Sequence, residues 1–143
     1  MAETINLVKL CVGADGVEDL VAWQATAAAR GPDGRPWHVT RMWPKREAEL
    51  LAGGSLYWVF RGVILARQRI VGLERVAGRD GVQRCGIVLE PRLVRTEPAP
   101  RKPFQGWRYL PASDAPRDLD GARASEAALP PGLAMALADL GVR

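Results

Sequence analysis

Histidine occurs once in this chain, cysteine twice and serine three times. Each shortage removes a class of chemistry. Cys11 and Cys85 are far apart, with no C-x-x-C or Cys/His spacing, so neither a zinc site nor a redox pair is spelled out. Both have apolar neighbours and are expected as buried free thiols in a reducing compartment. Ser55, Ser113 and Ser125 fall in no nucleophile-elbow pattern, and no glycine-rich phosphate loop occurs. No apolar run approaches the roughly 20 residues of a membrane span. The first residues lack a basic n-region and do not read as a signal peptide. The expectation is a cytoplasmic protein with no membrane association, no cofactor, no metal and no catalytic motif.

At 143 residues, 48% of them hydrophobic and 25% charged, the chain is sized and composed for one globular core. Its charge is placed unevenly. Residues 35–108 hold fifteen Lys/Arg against six Asp/Glu, whereas both flanks are acidic on balance. Within that basic stretch only Lys45 and Lys102 are lysines, and four of the five tryptophans lie there: Trp37, Trp43, Trp58 and Trp107. Guanidinium forks bind phosphate bidentately, and both guanidinium and indole planes stack on bases. The combination points to an anionic partner, nucleic acid first.

The pattern predicts an α+β fold: a curled, mixed or antiparallel sheet of five or six strands with one main helix packed on it and a C-terminal helix. Ile5 to Val12 reads as a first strand, and Val17 to Arg30 as the main helix, capped by Asp15. A short strand covers 37–42 and a brief helix 47–51. Leu56–Phe60 and Val63–Val76 give the strongest β signal, the second long enough to require a bend or bulge near Gln68 or Gly72. Gly78-Arg79-Asp80-Gly81 turns the chain into Val82–Leu89, and a weaker strand covers 93–96. The proline-rich 97–103 segment reads as a surface loop, followed by a last strand near 104–110. Residues 1–120 form the domain, and 121–143 an Ala/Pro-rich extension carrying the C-terminal helix.

Candidate binding residues come from three segments. Arg41, Trp43, Lys45 and Arg46 follow the short strand, and the last two place positive charge at a helix start, where an anion is favoured. Arg67 and Arg69 share a face of the long strand. Arg101, Lys102, Trp107 and Arg108 surround the last strand, with Trp107 poised either to stack a base or to close the core.

Five stretches carry a family resemblance: residues 7–13, 38–46, 53–59, 67–70 and 103–110. They resemble a family of alphaproteobacterial proteins of this length known as a domain of unknown function, which implies a bacterial cytoplasmic origin and no assigned activity. At the level of fold, residues 53–59 followed by 69–74 are similar in order and spacing to PUA-like domains, including ASCH and EVE domains. That resemblance implies a PUA-like β-barrel and a reader of RNA or of a modified base.

The leading functional expectation is a module that binds RNA or single-stranded nucleic acid through an Arg/Trp-rich face. One alternative is a small enzyme on a phosphorylated or nucleotide substrate, with His38 as acid or base and Arg41 as a clamp. The other is an adaptor for an acidic protein. A single anionic ligand requires Arg41, Arg67, Arg69 and Arg101 on one side of the molecule.

Overall fold

In the computed structural model, which describes residues 4–119, the chain builds one mixed sheet of seven strands with few helices. The elements are β1 (Ile5–Leu10), α1 (Val17–Gln24), β2 (Trp37–Thr40), α2 (Glu47–Leu51), β3 (Ser55–Phe60), β4 (Val63–Ala77), β5 (Gln83–Leu89), β6 (Val94–Pro100) and β7 (Trp107–Pro111). The strand order is β2-β5-β4-β3-β1-β7, with β6 also paired to β4. Only the β1–β3 pair is parallel. The proposed C-terminal helix lies outside the described residues.

The long strand β4 organises the sheet. Along one edge it pairs with β3; along the other it pairs first with β6, over Val63–Arg67, and then with β5, over Ile70–Ala77. The ladder shifts register between Ile70 and Gly72, the bulge expected of so long a strand. The β3–β4 hairpin turns on Arg61 and Gly62, both at positive φ (49° and 84°), a pairing that matches the right-handed twist of the strands.

The sheet curls but stays open. Its end strands, β2 and β7, are not paired to each other. Curling brings His38 of β2 edge-on to Trp58 of β3, with ring centroids 6.0 Å apart. The concave side holds the larger core, including Leu7, Leu56, Trp58, Phe60, Ile87 and Trp107, under α1. The opposite side carries a smaller cluster of Val8, Tyr57, Val59, Ile64 and Leu110.

Four expectations are corrected. The PUA-like β-barrel implied by residues 53–59 and 69–74 does not form, because the end strands β2 and β7 stay unpaired and the sheet is open. The main helix ends at Gln24 instead of Arg30: Thr26 adopts an extended backbone and its hydroxyl donates to the Trp23 carbonyl, leaving only a short 3-10 turn at Ala27–Ala29. At its start Gly16, not Asp15, is the N-cap, and the Asp19 carboxylate accepts from the N–H groups of both Asp15 and Gly16. The proline-rich segment is not wholly loop. Residues 97–100 extend β6, since Pro98 and Pro100 sit on an edge strand where a missing N–H is tolerated. The sheet has seven strands, one more than the upper end of the expected five or six.

Gln68, on β4 between the β6-paired and β5-paired halves, has no exposed surface. Its Oε1 accepts from Trp58 Nε1 (2.9 Å) and Gln24 Nε2 (2.8 Å), and its Nε2 donates to Gln24 Oε1 (2.7 Å) and the Glu90 carbonyl (2.9 Å). The carboxamide is thus fully satisfied and ties α1, β3 and the β5–β6 connection to β4. Replacing Gln68 with Leu leaves the indole N–H and the Glu90 carbonyl buried without partners, at a cost of about 3 kcal/mol. Gln24→Ala, which releases one arm, costs about half that. Urea midpoints at unchanged m-value measure both, and equal losses would contradict the ranking.

Candidate functional site

Eight of the ten predicted binding residues belong to two segments that flank the β7 edge, one on each side of the sheet. Strand β7 pairs with β1 and alternates its side chains, so Trp107 and Tyr109 face the concave core while Arg108 and Leu110 face away. The 41–46 segment folds back against the first pair. Trp107 Nε1 donates to the Met42 carbonyl (2.9 Å), and the Tyr109 hydroxyl accepts from the backbone N–H groups of Lys45 (2.9 Å) and Arg46 (3.1 Å). The Trp107 and Tyr109 rings meet edge to face, with centroids 4.9 Å apart. The Arg46 guanidinium lies 5.4 Å from the Tyr109 ring centroid and pairs with Glu49.

On the other side of β7, Phe104 packs on the smaller cluster and receives two cations. Arg108 lies 5.3 Å and Arg101 5.8 Å from its ring centroid. Arg108 is steadied by donating to the Gln105 carbonyl (2.6 Å) and the Trp107 carbonyl (3.1 Å). Aromatic rings therefore carry guanidinium groups on both sides of one edge strand; Phe104 orients Arg101 and Arg108 without neutralising them, whereas Arg46 over Tyr109 is also paired with Glu49. Trp43 and Met42 stay exposed, at 39% and 44%. Arg41, Lys45 and Lys102 are exposed, and their side chains make no ion pair with a described residue.

Two alternatives that the sequence leaves open are decided here against binding. Trp107 is core: it is buried and its N–H is taken, so the accessible indole beside β7 is Trp43. The anion that faces Arg46 at the start of α2 is this chain's own Glu49.

Arg67 and Arg69 lie elsewhere. They sit on β4 opposite Tyr57 and Ser55, with two strands, β3 and β1, between them and β7. The Arg67 fork is filled by Asp118, at 2.8 and 2.7 Å, and Arg67 also donates to Ser55 Oγ (2.9 Å). The sheet thus separates the cations: Arg101, Arg108, Arg67 and Arg69 go with the smaller cluster's side, whereas the 41–46 segment docks on the concave side. Arg41 does not share a face with the other three arginines, so the expected gathering of all four on one side fails, and Arg67 and Arg69 give no support to a shared anionic ligand.

The polar pocket beside Arg67, about 390 Å³ and lined in part by Asn6, Ser55 and Tyr57, went unread in the sequence. A signal existed: polar residues recur at alternate positions of three strands, Asn6, then Ser55 and Tyr57, then Arg67 and Arg69, and so share one face.

His38 has none of the company an acid–base catalyst needs. Burial, with Lys9 nearby, pushes its pKa from 6.5 down to about 4, so the ring is neutral, and it makes no hydrogen bond to a described carboxylate. Burial likewise pushes the Cys11 and Cys85 thiols up to about 11, which keeps both protonated and inert. Among the described residues no group of three or more His, Cys, Asp or Glu is gathered to hold a metal ion, and no helix is long and apolar enough to cross a membrane.

A family match spans residues 7–143, and the chain belongs to that family, described as "Protein of unknown function (DUF1489)". No curated protein and no solved structure matches the chain.

The lowered His38 pKa has a consequence for stability. Between pH 6.5 and about 4 the unfolded chain takes a proton on His38 that the folded chain refuses, so stability is full above pH 6.5 and falls as pH drops toward 4. The loss approaches about 3 kcal/mol at pH 4. Urea midpoints at pH 7 and pH 4.5 should show a smaller drop in His38→Gln than in the wild type, and equal drops would contradict the assignment.

Proposed function

We propose that this family member is a binding module for RNA or single-stranded nucleic acid, with the β7 edge as its contact surface. What carries the reading is the convergence of two segments some sixty residues apart, 41–46 and 101–108, on one sheet edge, where cations are held by aromatic rings and Trp43 is left exposed. Single-stranded ligands are gripped in this way, by stacking on aromatic rings and by cations that follow the phosphates.

Each residue has a physical role. Trp43 offers its ring to a base. Lys102, Arg101 and Arg108 meet phosphates on one side of the edge, and Arg41 and Lys45 on the other, so the strand crosses β7 instead of running along a sheet face. Arg46 and Tyr109 hold the 41–46 loop in place, and Trp107 anchors it from the core. Arg67 and Arg69 take no part. The likeness of residues 53–59 and 69–74 to PUA-like domains, whose members are mostly RNA or modified-base readers, agrees with this reading and supplies no residue to it.

Titrating the protein with a single-stranded oligonucleotide, read by tryptophan fluorescence at several salt concentrations, tests the proposal. Binding should weaken with salt at a log–log slope of about −0.7 per phosphate engaged. Removing both Arg101 and Lys102 should reduce that slope by about 1.4 units, and Trp43→Ala should weaken binding about tenfold while abolishing most of the fluorescence change. Arg79→Ala, in the β4–β5 turn, should alter neither. Salt-independent binding, or polyglutamate competing as well as the oligonucleotide, would refute the nucleic-acid reading in favour of an acidic partner or none.

A further inference from the structure

On the side of the sheet away from the larger core, three buried polar side chains stand where apolar ones are the rule. Asn6, Ser55 and Tyr57 are 5%, 2% and 7% exposed. Burying such groups without partners is costly, so their hydrogen bonds can be accounted for one by one. Asn6 Oδ1 accepts the Ser55 N–H (2.9 Å), which caps the start of β3 and turns no part of Asn6 Nδ2 to use. Ser55 Oγ accepts from Arg67 (2.9 Å), leaving its own proton to donate. The Tyr57 hydroxyl makes no hydrogen bond with a described residue. Three donors and a guanidinium thus line one pocket of about 390 Å³, the size of a small-molecule site.

The pocket's nearby acceptor is the carboxylate already in the Arg67 fork. Asp118 belongs to the segment after β7, which lies along β6 through Glu97 N–H to the Arg117 carbonyl (2.8 Å) and Leu119 N–H to the Arg95 carbonyl (3.1 Å). Its bidentate bond to Arg67 occupies the place that a carboxylate or phosphate from outside would take. The Asp118 side chain is 42% exposed, so it can leave the fork for water without being stranded in the interior. A donor-rich pocket whose strongest donor is held by an internal carboxylate is built for an oxyanion that competes with that carboxylate.

We propose that the pocket walled by Asn6, Ser55, Tyr57 and Arg67 binds the oxyanion end of a small molecule, a phosphate monoester or a carboxylate, and that Asp118 occupies the Arg67 fork in its absence. Arg67 binds the oxyanion bidentately; Ser55, Tyr57 and the Asn6 amide nitrogen donate to its remaining oxygens. This site lies apart from the β7 edge and does not depend on it.

Heteronuclear NMR titration of the full chain with inorganic phosphate and, separately, with acetate, at ionic strength matched by sodium chloride, tests the proposal and distinguishes the two sources of oxyanion. Saturating shifts should centre on the Ser55 and Tyr57 amides for at least one anion, at millimolar concentrations. Asp118→Asn should tighten that binding about tenfold by removing the competing charge. Adding Tyr57→Phe to Asp118→Asn should weaken it about fivefold, and adding Arg67→Gln should abolish it. Tyr57→Phe removes one oxygen and keeps the ring, so a wild-type urea midpoint in that variant separates lost binding from lost folding. Binding that Asp118→Asn does not tighten, binding insensitive to Tyr57→Phe, or no saturable response to either anion in Asp118→Asn overturns the proposal. Oligonucleotide binding should be the same in Tyr57→Phe as in the wild type, so this site and the β7 edge fail or survive separately.

Discussion

One buried carboxamide holds the architecture together. Strand β4 is shared by β6 and β5 along a single edge, and such sharing leaves a place where neither neighbour is in register. Gln68 sits there. It bonds to the Glu90 carbonyl as the chain passes from β5 to β6, to the indole of β3, and to the end of α1, spending all four of its hydrogen-bonding positions. The Glu90 N–H reinforces the same crossing by donating to the Arg69 carbonyl (3.0 Å). A hydrophobic residue at this position could fill the space but could not fix where β5 ends and β6 begins. The curl of the sheet, and with it the reach of the 41–46 loop to β7, follows from that fixed point.

Close packing along the curl leaves little tolerance. Gly86 on β5 lies under the Trp37 ring, and a Cβ placed there would meet ring carbon at 2.6 Å. The β2–β5 pair can therefore approach only because one side chain is missing, and this approach brings His38 against Trp58 and toward Lys9. The neutral imidazole follows from that packing. A cationic ring beside a half-buried lysine, whose own pKa burial lowers, would be repelled and poorly solvated.

Much of this was legible in the sequence because it rests on local chemistry. Strand periodicity in 5–12, 56–60 and 63–76, the Gly78–Gly81 turn and the bulge in the long strand all reflect preferences carried by a few adjacent residues. What was not legible depends on distant partners. Gln24 reads as one more helical residue, and nothing near it in sequence announces that its amide pairs with Gln68, forty-four residues away. Pro98 and Pro100 look like loop residues until β6 is placed at an edge. The charge asymmetry marked the basic segments along the chain, but it could not tell that Asp118, in the acidic C-terminal stretch, would claim Arg67.

The open side of the sheet has a dynamic corollary. Strand β7 is joined to β1 by a regular ladder, whereas among the described residues three hydrogen bonds attach the 41–46 loop to β7, two of them to a single phenolic oxygen. Such a fastening releases as a unit. The Lys45 and Arg46 amides should therefore exchange with solvent by local opening, while those of β3 and β4 wait for global unfolding. The surface proposed to meet a partner is then also a part of the molecule that can change shape at little cost to the rest.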